Sequence, residues 1–456
     1  MTPSSDYSGY SGLLTDLYEL TMAAGYLKTG FDARLTFELF VRSLPPHRNF
    51  LVAAGLDQAL DFLEQVRFSE EDIRYLRAQP VFQQVGNEFF KYLSEFRFSG
   101  DVWAIPEGTV FFPGEPVLRV TGPAIEAQIA ETFLLSEINF QTMIASKAAR
   151  IVHSAGGRPV IEFGSRRAHG MGAGVLAARA AVIGGCQGTS NVAAGKQFGI
   201  PVYGTQAHSW IMAHEDEEEA FAKFLDIFPK QAVLLVDTYD VRAAVEKLIA
   251  MGRKPRGLRL DSGDIAADSI WTRNRLNRAG WSDVIVFASG DLDEDTIAEL
   301  LAEGALIDGF GVGTALVNSI DSPALGVIYK LVEAEDQGEV RSVAKFSAAK
   351  VTYPGKKQVY RASDSRGRFQ GDTIALAEEK FPGTEALLVP VMSKGQRIVP
   401  RTELPAARKR CSGQVARLPE ALLSTNQAAA YPVRHSERLE NLMKDVRQRL
   451  ERATRI

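Results

Sequence analysis

The stretch that decides the fold runs from Pro159 to Thr314. It holds seven short apolar runs, each followed directly by polar residues or glycine. They are PVIEF (159–163) before GSRRAHG, AVIGGC (181–186) before QGTSN, IPVYG (200–204) before TQAHSW, and AVLLV (232–236) before DTYD. GLRL (257–260) before DSGD, VIVFA (284–288) before SGD, and LIDGF (306–310) before GVGT complete the set. Helical or loop sequence separates the runs. Seven strands alternating with helices predict an α/β fold with a parallel sheet, closed or nearly closed into a barrel. An open doubly wound sheet is the alternative.

Around this middle region, 141–335, the pattern changes. Residues 1–140 read as an α+β domain: a helix over Leu13–Leu27, an alternating strand over Ala33–Arg42, a helix beginning at Gly55, then short β pieces broken by Gly and Pro over Val102–Val120. Residues 336–456 form a C-terminal extension. It has a basic β-like segment, Lys345–Arg361, and a terminal helix with Leu439, Leu442, Val446 and Leu450 at helical spacing. Its basic face reads as solvated surface rather than a nucleic-acid contact.

Composition bounds the classes. With 456 residues, 45% apolar and 24% charged, the chain is a typical globular protein of more than one domain. A net charge of −4 supplies no general attraction for nucleic acid. Two cysteines, Cys186 and Cys411, are too few for a disulfide framework or a Cys-rich zinc site, which fits a reducing, cytoplasmic compartment. The start, MTPSSDYSGYSG, lacks the basic and apolar regions of a signal peptide, and no apolar run is long enough to span a membrane.

In a barrel the seven polar tails share one face, where such enzymes place their sites. One tail alone is an ordinary turn with helix caps. Seven in succession, two carrying Arg or His, point to one shared site. SGD and GVGT expose backbone N–H groups at predicted helix starts, which suits phosphate, although neither is a GxGxxG or Walker motif. His208 follows one strand and Asp237 ends the next, so a carboxylate beside the imidazole is expected to hold one tautomer and raise its basicity. His169 and His214 are rivals. His214 begins the acidic turn EDEEE, which reads as the first turn of a helix. Arg166, Arg167 and Arg259 at strand ends suit a carboxylate or phosphate; the bland reading is an ion pair with Asp261 or Glu162.

Taken in order, TDLYELTMAAGY, FELFVRSLP, EGTVFFPGEPVLRV, EFGSRRAHG, GTSNVAAGKQFGIPVYGTQAHSW, LLVDTYD, LRLDSGD and GFGVGTALVN resemble nicotinate phosphoribosyltransferase over residues ~12–361. The resemblance implies the type II phosphoribosyltransferase fold, an irregular α/β barrel with an N-terminal domain that packs on a partner subunit, hence a homodimer with shared sites. It implies that nicotinate and phosphoribosyl pyrophosphate give nicotinate mononucleotide and pyrophosphate in NAD salvage, coupled to ATP hydrolysis with Mg²⁺. It assigns His208 as the histidine phosphorylated by ATP, with Asp237 supporting it and Asp261 near the ribose phosphates. Nicotinate falls to Tyr18 (from the partner), Phe163, Arg166, Ser190, Thr205 and Arg259. Phosphoribosyl pyrophosphate falls to Arg166, Arg259, Asp261, Ser289, Gly290, Gly311, Gly313 and Thr314.

Three positions depart from or refine the pattern. The related nicotinamide enzyme has Asp where this chain has Ser190; a serine donates to a carboxylate that an aspartate repels, so nicotinate is favoured. Ser165 and His169 stand where Leu and Gln are common. Cys411 alone cannot supply the zinc knuckle of some relatives, so no zinc is expected; the Mg²⁺ ligands stay open. The rival readings are nicotinamide or quinolinate phosphoribosyltransferase, a barrel aldolase or decarboxylase, and a non-catalytic binding protein of the same fold. The aldolase would need a strand-end Lys or a metal triad, and the tails carry neither.

Overall fold

The computed structural model describes residues 10–347, 350–425 and 427–454. The segment 1–9 read for a leader, residues 348–349 of the basic β-like stretch and the end of the terminal helix at 455–456 lie outside the described residues. The principal elements of the first region are α1 (Leu17–Thr29), β1 (Arg34–Val41), α2 (Leu56–Gln65), β2 (Asp101–Ala104), β3 (Pro116–Pro123) and α3 (Glu131–Ser154). The middle region runs β4 (Val160–Glu162), α4 (Met171–Ile183), β5 (Gly188–Thr189), α5 (His208–Met212), α6 (Glu217–Ile227), β6 (Val233–Leu235), α7 (Val241–Ala250), β7 (Gly257–Leu260), α8 (Ile265–Arg278), β8 (Ile285–Ala288), α9 (Glu294–Ala302), β9 (Gly309–Val312) and α10 (Thr314–Asn318). After it come β10 (Val327–Asp336), β11 (Glu339–Ser342), β12 (Lys357–Ser363), β13 (Phe369–Leu376), β14 (Glu385–Ala386), β15 (Val389–Ser393), β16 (Gln396–Arg397), α11 (Leu404–Val415), β17 (Val433–His435) and α12 (Glu437–Thr454).

The middle strands form one parallel sheet of order β5-β4-β9-β8-β7-β6. Its two end strands are not paired with each other, so the irregular α/β barrel is open between β5 and β6, with α5 on the connection between them. Two of the seven predicted strands are corrected. AVIGGC is the end of helix α4 and the turn after it, and the strand comes just later, at β5. Ala177, Ala178, Ala180 and Ala181 favour a helix, and all are buried, so no polar face marks its period and a short apolar run cannot be told from a strand. IPVYG contributes a single bridge, Val202 to Thr189. The strand expected at LIDGF is shifted to Gly309–Val312.

The second sheet has seven strands in the order β11-β10-β1-β3-β2-β15-β16. β1 pairs antiparallel with β10 and with β3, and β2 pairs with β15. Strands from all three regions of the sequence thus share one sheet. A third sheet, β14-β12-β13-β17, carries α12 against β13. Leu439 and Val446 of that helix are buried, as its spacing predicts, while Leu450 is largely exposed.

Two buried arginines join the sheets. Arg179 on α4 grips Glu107 with both terminal nitrogens (2.9 and 2.6 Å) and reaches Asp57 on α2 (3.0 Å). Asp57 also receives Arg397 of β16 (2.8 Å). Arg361 on β12 donates to Asp372, its cross-strand neighbour on β13 (2.6 Å), and to the Val110 carbonyl (2.8 Å). Glu115 lies 4.0 Å from the same guanidinium, and burial together with Asp372 holds its carboxyl well above the usual range. Breaking a fully buried pair from one side leaves an uncompensated charge. Arg361→Leu should therefore lower unfolding free energy by about 3–5 kcal/mol in urea titrations; a loss below about 1 kcal/mol would contradict this account of the network.

Candidate functional site

The side-chain alternation of β7 starts the site. Leu258 and Leu260 pack into the apolar layer shared with α6 and α7, so Arg259 between them points to the barrel interior. There each of its three nitrogens donates one hydrogen bond. Nε donates to Ser289 Oγ (2.6 Å), Nη1 to Thr205 Oγ1 (2.9 Å) and Nη2 to Asp261 Oδ1 (2.5 Å). The guanidinium also lies over the Phe163 ring, 5.7 Å from its centroid. One arginine thereby links groups from the ends of β4, β7 and β8 with the loop at Thr205.

These residues line a cavity of about 480 Å³ together with Arg166, Ser190, Gly290, Gly311, Gly313 and Thr314. Six of the seven polar tails read from the sequence therefore converge, and the DTYD tail does not line the cavity. Two glycines are required by close approach. A Cβ on Gly311 would stand 2.6 Å from the Phe163 ring, and Gly290, at φ 113°, would place one 2.5 Å from the Asp261 carbonyl. Phe163 meets Phe287 of β8 at a tilted 5.8 Å.

Arg166 and Arg167 sit in a short 3₁₀ turn after β4 and are exposed. Among the described residues neither has a carboxylate in ion-pair range. Glu162 is instead satisfied by the Thr189 hydroxyl (2.5 Å) and the Gly164 N–H. For Arg259 the ion pair with Asp261 and the place in the cavity coexist.

His208 opens α5 at the cavity's edge. Its expected carboxylate partner is corrected. Nδ1 meets Thr238 Oγ1 at 3.2 Å, and Nε2 lies 3.8 Å from Asp261 Oδ2. Asp237 turns away from the imidazole because its Oδ2 accepts the Asp261 N–H (3.1 Å) and the Ser262 hydroxyl (2.5 Å) at the end of β7. Its Oδ1 is buried without a protein partner. Tyr18 is not at this cavity; it stands on α1, 45% exposed. His169 is exposed and off the cavity, and His214 caps its own turn through the Trp210 carbonyl (2.7 Å). The EDEEE run does open α6, with Asp216 as its cap.

Three cavity residues were not assigned to the site by the sequence reading, Ser165 having been named there only as a departure from the family pattern. Gln206 is buried with both amide atoms unpartnered, and the Ser165 hydroxyl is buried without a partner. Asp291 also lines the cavity. All three lie inside tails already quoted, but a polar residue in a loop gives no sign of whether it will be satisfied.

The comparisons with known proteins bear on this geometry. Three family models match in succession: the nicotinate phosphoribosyltransferase N-terminal domain over 13–139, the nicotinate phosphoribosyltransferase family over 159–373 and its C-terminal domain over 381–443. The chain belongs to the nicotinate phosphoribosyltransferase family. It is 46% identical to the nicotinate phosphoribosyltransferase pncB2 of Mycobacterium tuberculosis, covering 94% of this chain and 92% of that one. It is 44% identical to the nicotinate phosphoribosyltransferase of Bacillus subtilis over 81% of this chain and 76% of the relative. The crystal structure of human nicotinic acid phosphoribosyltransferase superposes with a TM-score of 0.82 at 28% identity, covering 95% and 99% of the two chains. Among the described residues no helix is long and apolar enough to cross a membrane.

The electrostatics of Asp261 follow from its neighbours. Burial works against its charge, yet the Ser289 hydroxyl, Arg259 and His208 outweigh it and hold the carboxyl below the usual aspartate range. A depressed carboxyl contributes stability above its unfolded-state value and loses it as pH falls through its folded-state value. In Arg259→Ala that loss should begin at higher pH. Carbon NMR of the Asp261 carboxyl would show an upward shift in its titration midpoint; an unchanged midpoint would refute the assigned cause.

Proposed function

We propose that this chain is an ATP-coupled nicotinate phosphoribosyltransferase. It joins nicotinate to the ribose of phosphoribosyl pyrophosphate and releases pyrophosphate, in NAD salvage in the cytoplasm. The single observation that carries the reading is the Arg259 fork, which holds Thr205, Ser289 and Asp261 around one cavity faced by Phe163 and the glycine-rich ends of β8 and β9.

Each part of the reaction finds its residues. The pyridine ring lies on Phe163, whose flat face suits a heteroaromatic ring. Arg166 and Arg259 meet anionic groups, Ser190 and Thr205 donate to the nicotinate carboxylate, and the N–H groups of Gly290, Gly311, Gly313 and Thr314 take the 5′-phosphate. The pyridine nitrogen attacks the anomeric carbon as the bond to pyrophosphate breaks. Positive charge grows on the sugar, beside Asp261, and negative charge on the leaving group, beside the arginines. The ring nitrogen is already a nucleophile, so no general base is needed.

Mg²⁺ fits the donor set. Asp237 keeps one buried oxygen without a protein partner, and Asp261 Oδ2 faces the same loops. Among the described residues no group of three or more His, Cys, Asp or Glu is placed to hold a metal by itself, so the ion would arrive on substrate phosphates with these two carboxylates as protein donors. When bound it neutralises phosphate charge.

His208 accepts the γ-phosphoryl of ATP with ADP as the leaving group, and water later returns it as phosphate. Thr238 Oγ1 at Nδ1 and Asp261 near Nε2 hold the ring at the cavity edge for that exchange. The active unit in this reading is a homodimer. Leu17, Tyr18 and Met22 expose an apolar stripe of α1, while Met171, Val192, Val202 and Tyr203 are exposed on the barrel and its loops. Tyr18 then covers the second face of the pyridine bound by the partner.

Two experiments decide the reading. Incubation with γ-labelled ATP should leave acid-labile, base-stable label on the wild type and none on His208→Ala; label that survives the substitution defeats the phosphohistidine assignment. In product assays with nicotinate, nicotinamide and quinolinate, only nicotinate should be used efficiently, and Ser190→Asp should cut nicotinate kcat/KM at least ~10-fold by placing like charges together. No product from any of the three pyridines would favour a binding protein over an enzyme.

A further inference from the structure

Far from the catalytic cavity in the chain, α11 and the residues just beyond it carry a second concentration of cationic donors. A pocket of about 400 Å³ is lined by Lys409, Arg410, Gln414 and Arg417 on one side and by Glu385 and Leu387 on the other. It shares no lining residue with the catalytic cavity. Among the described residues none of its three cations has a carboxylate within ion-pair range. Arg410 and Arg417 are instead held in place by neutral groups. Arg410 Nη1 donates to the Glu107 carbonyl (2.5 Å). Arg417 donates from Nε to the Gly367 carbonyl (2.6 Å) and from Nη2 to Ser363 Oγ (2.9 Å), with its plane 4.5 Å over Phe369. Both guanidinium groups are thus pre-oriented with their charge unneutralised and N–H groups to spare, and Lys409 extends into solvent with no protein partner.

Gln414 adds a neutral donor to the same wall. The residue is 7% exposed. Its Oε1 accepts from the Val110 N–H (2.8 Å) and from Arg361 Nη1 (3.3 Å), which sets the amide's orientation. Nε2 makes no hydrogen bond among the described residues and is not sealed from solvent, so it can donate into a pocket lined by three cations. The one acid on the wall, Glu385, is exposed and reaches none of them.

We propose that this pocket is an anion site for a phosphorylated small molecule, separate from the catalytic cavity. Arginine forks and a lysine match phosphoryl oxygens. The volume admits a ligand of mononucleotide size, and Pro106, Leu387 and Val389 offer an apolar wall for its organic part. The site also touches the machinery. Arg410 holds the backbone of Glu107, and the Glu107 carboxylate holds Arg179 on α4, the helix that follows the Ser165–Arg167 turn of the catalytic cavity. The proposal stands independently of the reaction assigned above.

Equilibrium dialysis of the full chain with labelled inorganic pyrophosphate tests it. Wild type should bind two molecules per chain. Arg259→Ala should lose the catalytic one and keep the other. Lys409→Glu, an exposed and unpartnered position whose change does not threaten folding, should weaken only the second by roughly tenfold or more. Inorganic phosphate and ATP should displace the second label, the tighter of them marking the natural class, and adenosine should not. Bound label that is wholly indifferent to Lys409→Glu, or displacement by adenosine as strong as by ATP, would each overturn the proposal.

Discussion

The molecule depends on a charge buried where four segments of chain meet. Arg179 comes from the barrel helix α4, Asp57 from the N-terminal helix α2, Glu107 from the loop between β2 and β3, and Arg397 from the C-terminal region. An isolated guanidinium in such a place would cost several kcal/mol. With two carboxylates on it the cost is met only in one relative placement of the segments, because the fork geometry is directional. The hub therefore acts as a registration device. It fixes α4, and with α4 the Ser165–Arg167 turn before it, relative to the domain that carries Tyr18.

The catalytic cavity repeats the same logic on a smaller scale. Arg259 ties together residues from the ends of β7 and β8 and from the loop at Thr205 through its side chain. Because Asp261, Ser289 and the guanidinium satisfy each other, the site is ordered before any substrate arrives. Orphan groups remain where a substrate or its metal would complete the set: Asp237 Oδ1, the Ser165 hydroxyl and the Gln206 amide. Preorganised donors around unfilled acceptors are what a site needs to favour charge that develops during reaction.

Much of this was legible in the residues. Apolar runs ending in Asp, Ser, Gly or Arg gave the parallel strands and the face where the site lies, because alternation and strand polarity are local properties. Burial erased the distinction at Ala177–Ile183, where a helix covered on all sides has no polar face to reveal its period. The partner of His208 was misplaced for another reason. Asp237 and Asp261 end adjacent strands, and which carboxylate faces the imidazole is decided by the Asp261 N–H and Ser262 hydroxyl capturing Asp237, a contact between loops that no spacing encodes. Nor could periodicity show that β10 and β15 belong with β1 and β2, since pairing partners hundreds of residues apart leave no local mark.

That composite sheet has a consequence for how the chain is made. β1 cannot gain its neighbour β10 until nearly three hundred further residues have been joined, and β2 waits about as long for β15. The loop-closure entropy of such distant contacts slows folding. During synthesis the barrel, whose strands follow one another, can assemble behind the ribosome while β1 still presents an open hydrogen-bonding edge. Nascent chains of this protein are thus exposed to aggregation until the last third emerges, which makes them natural clients for chaperones.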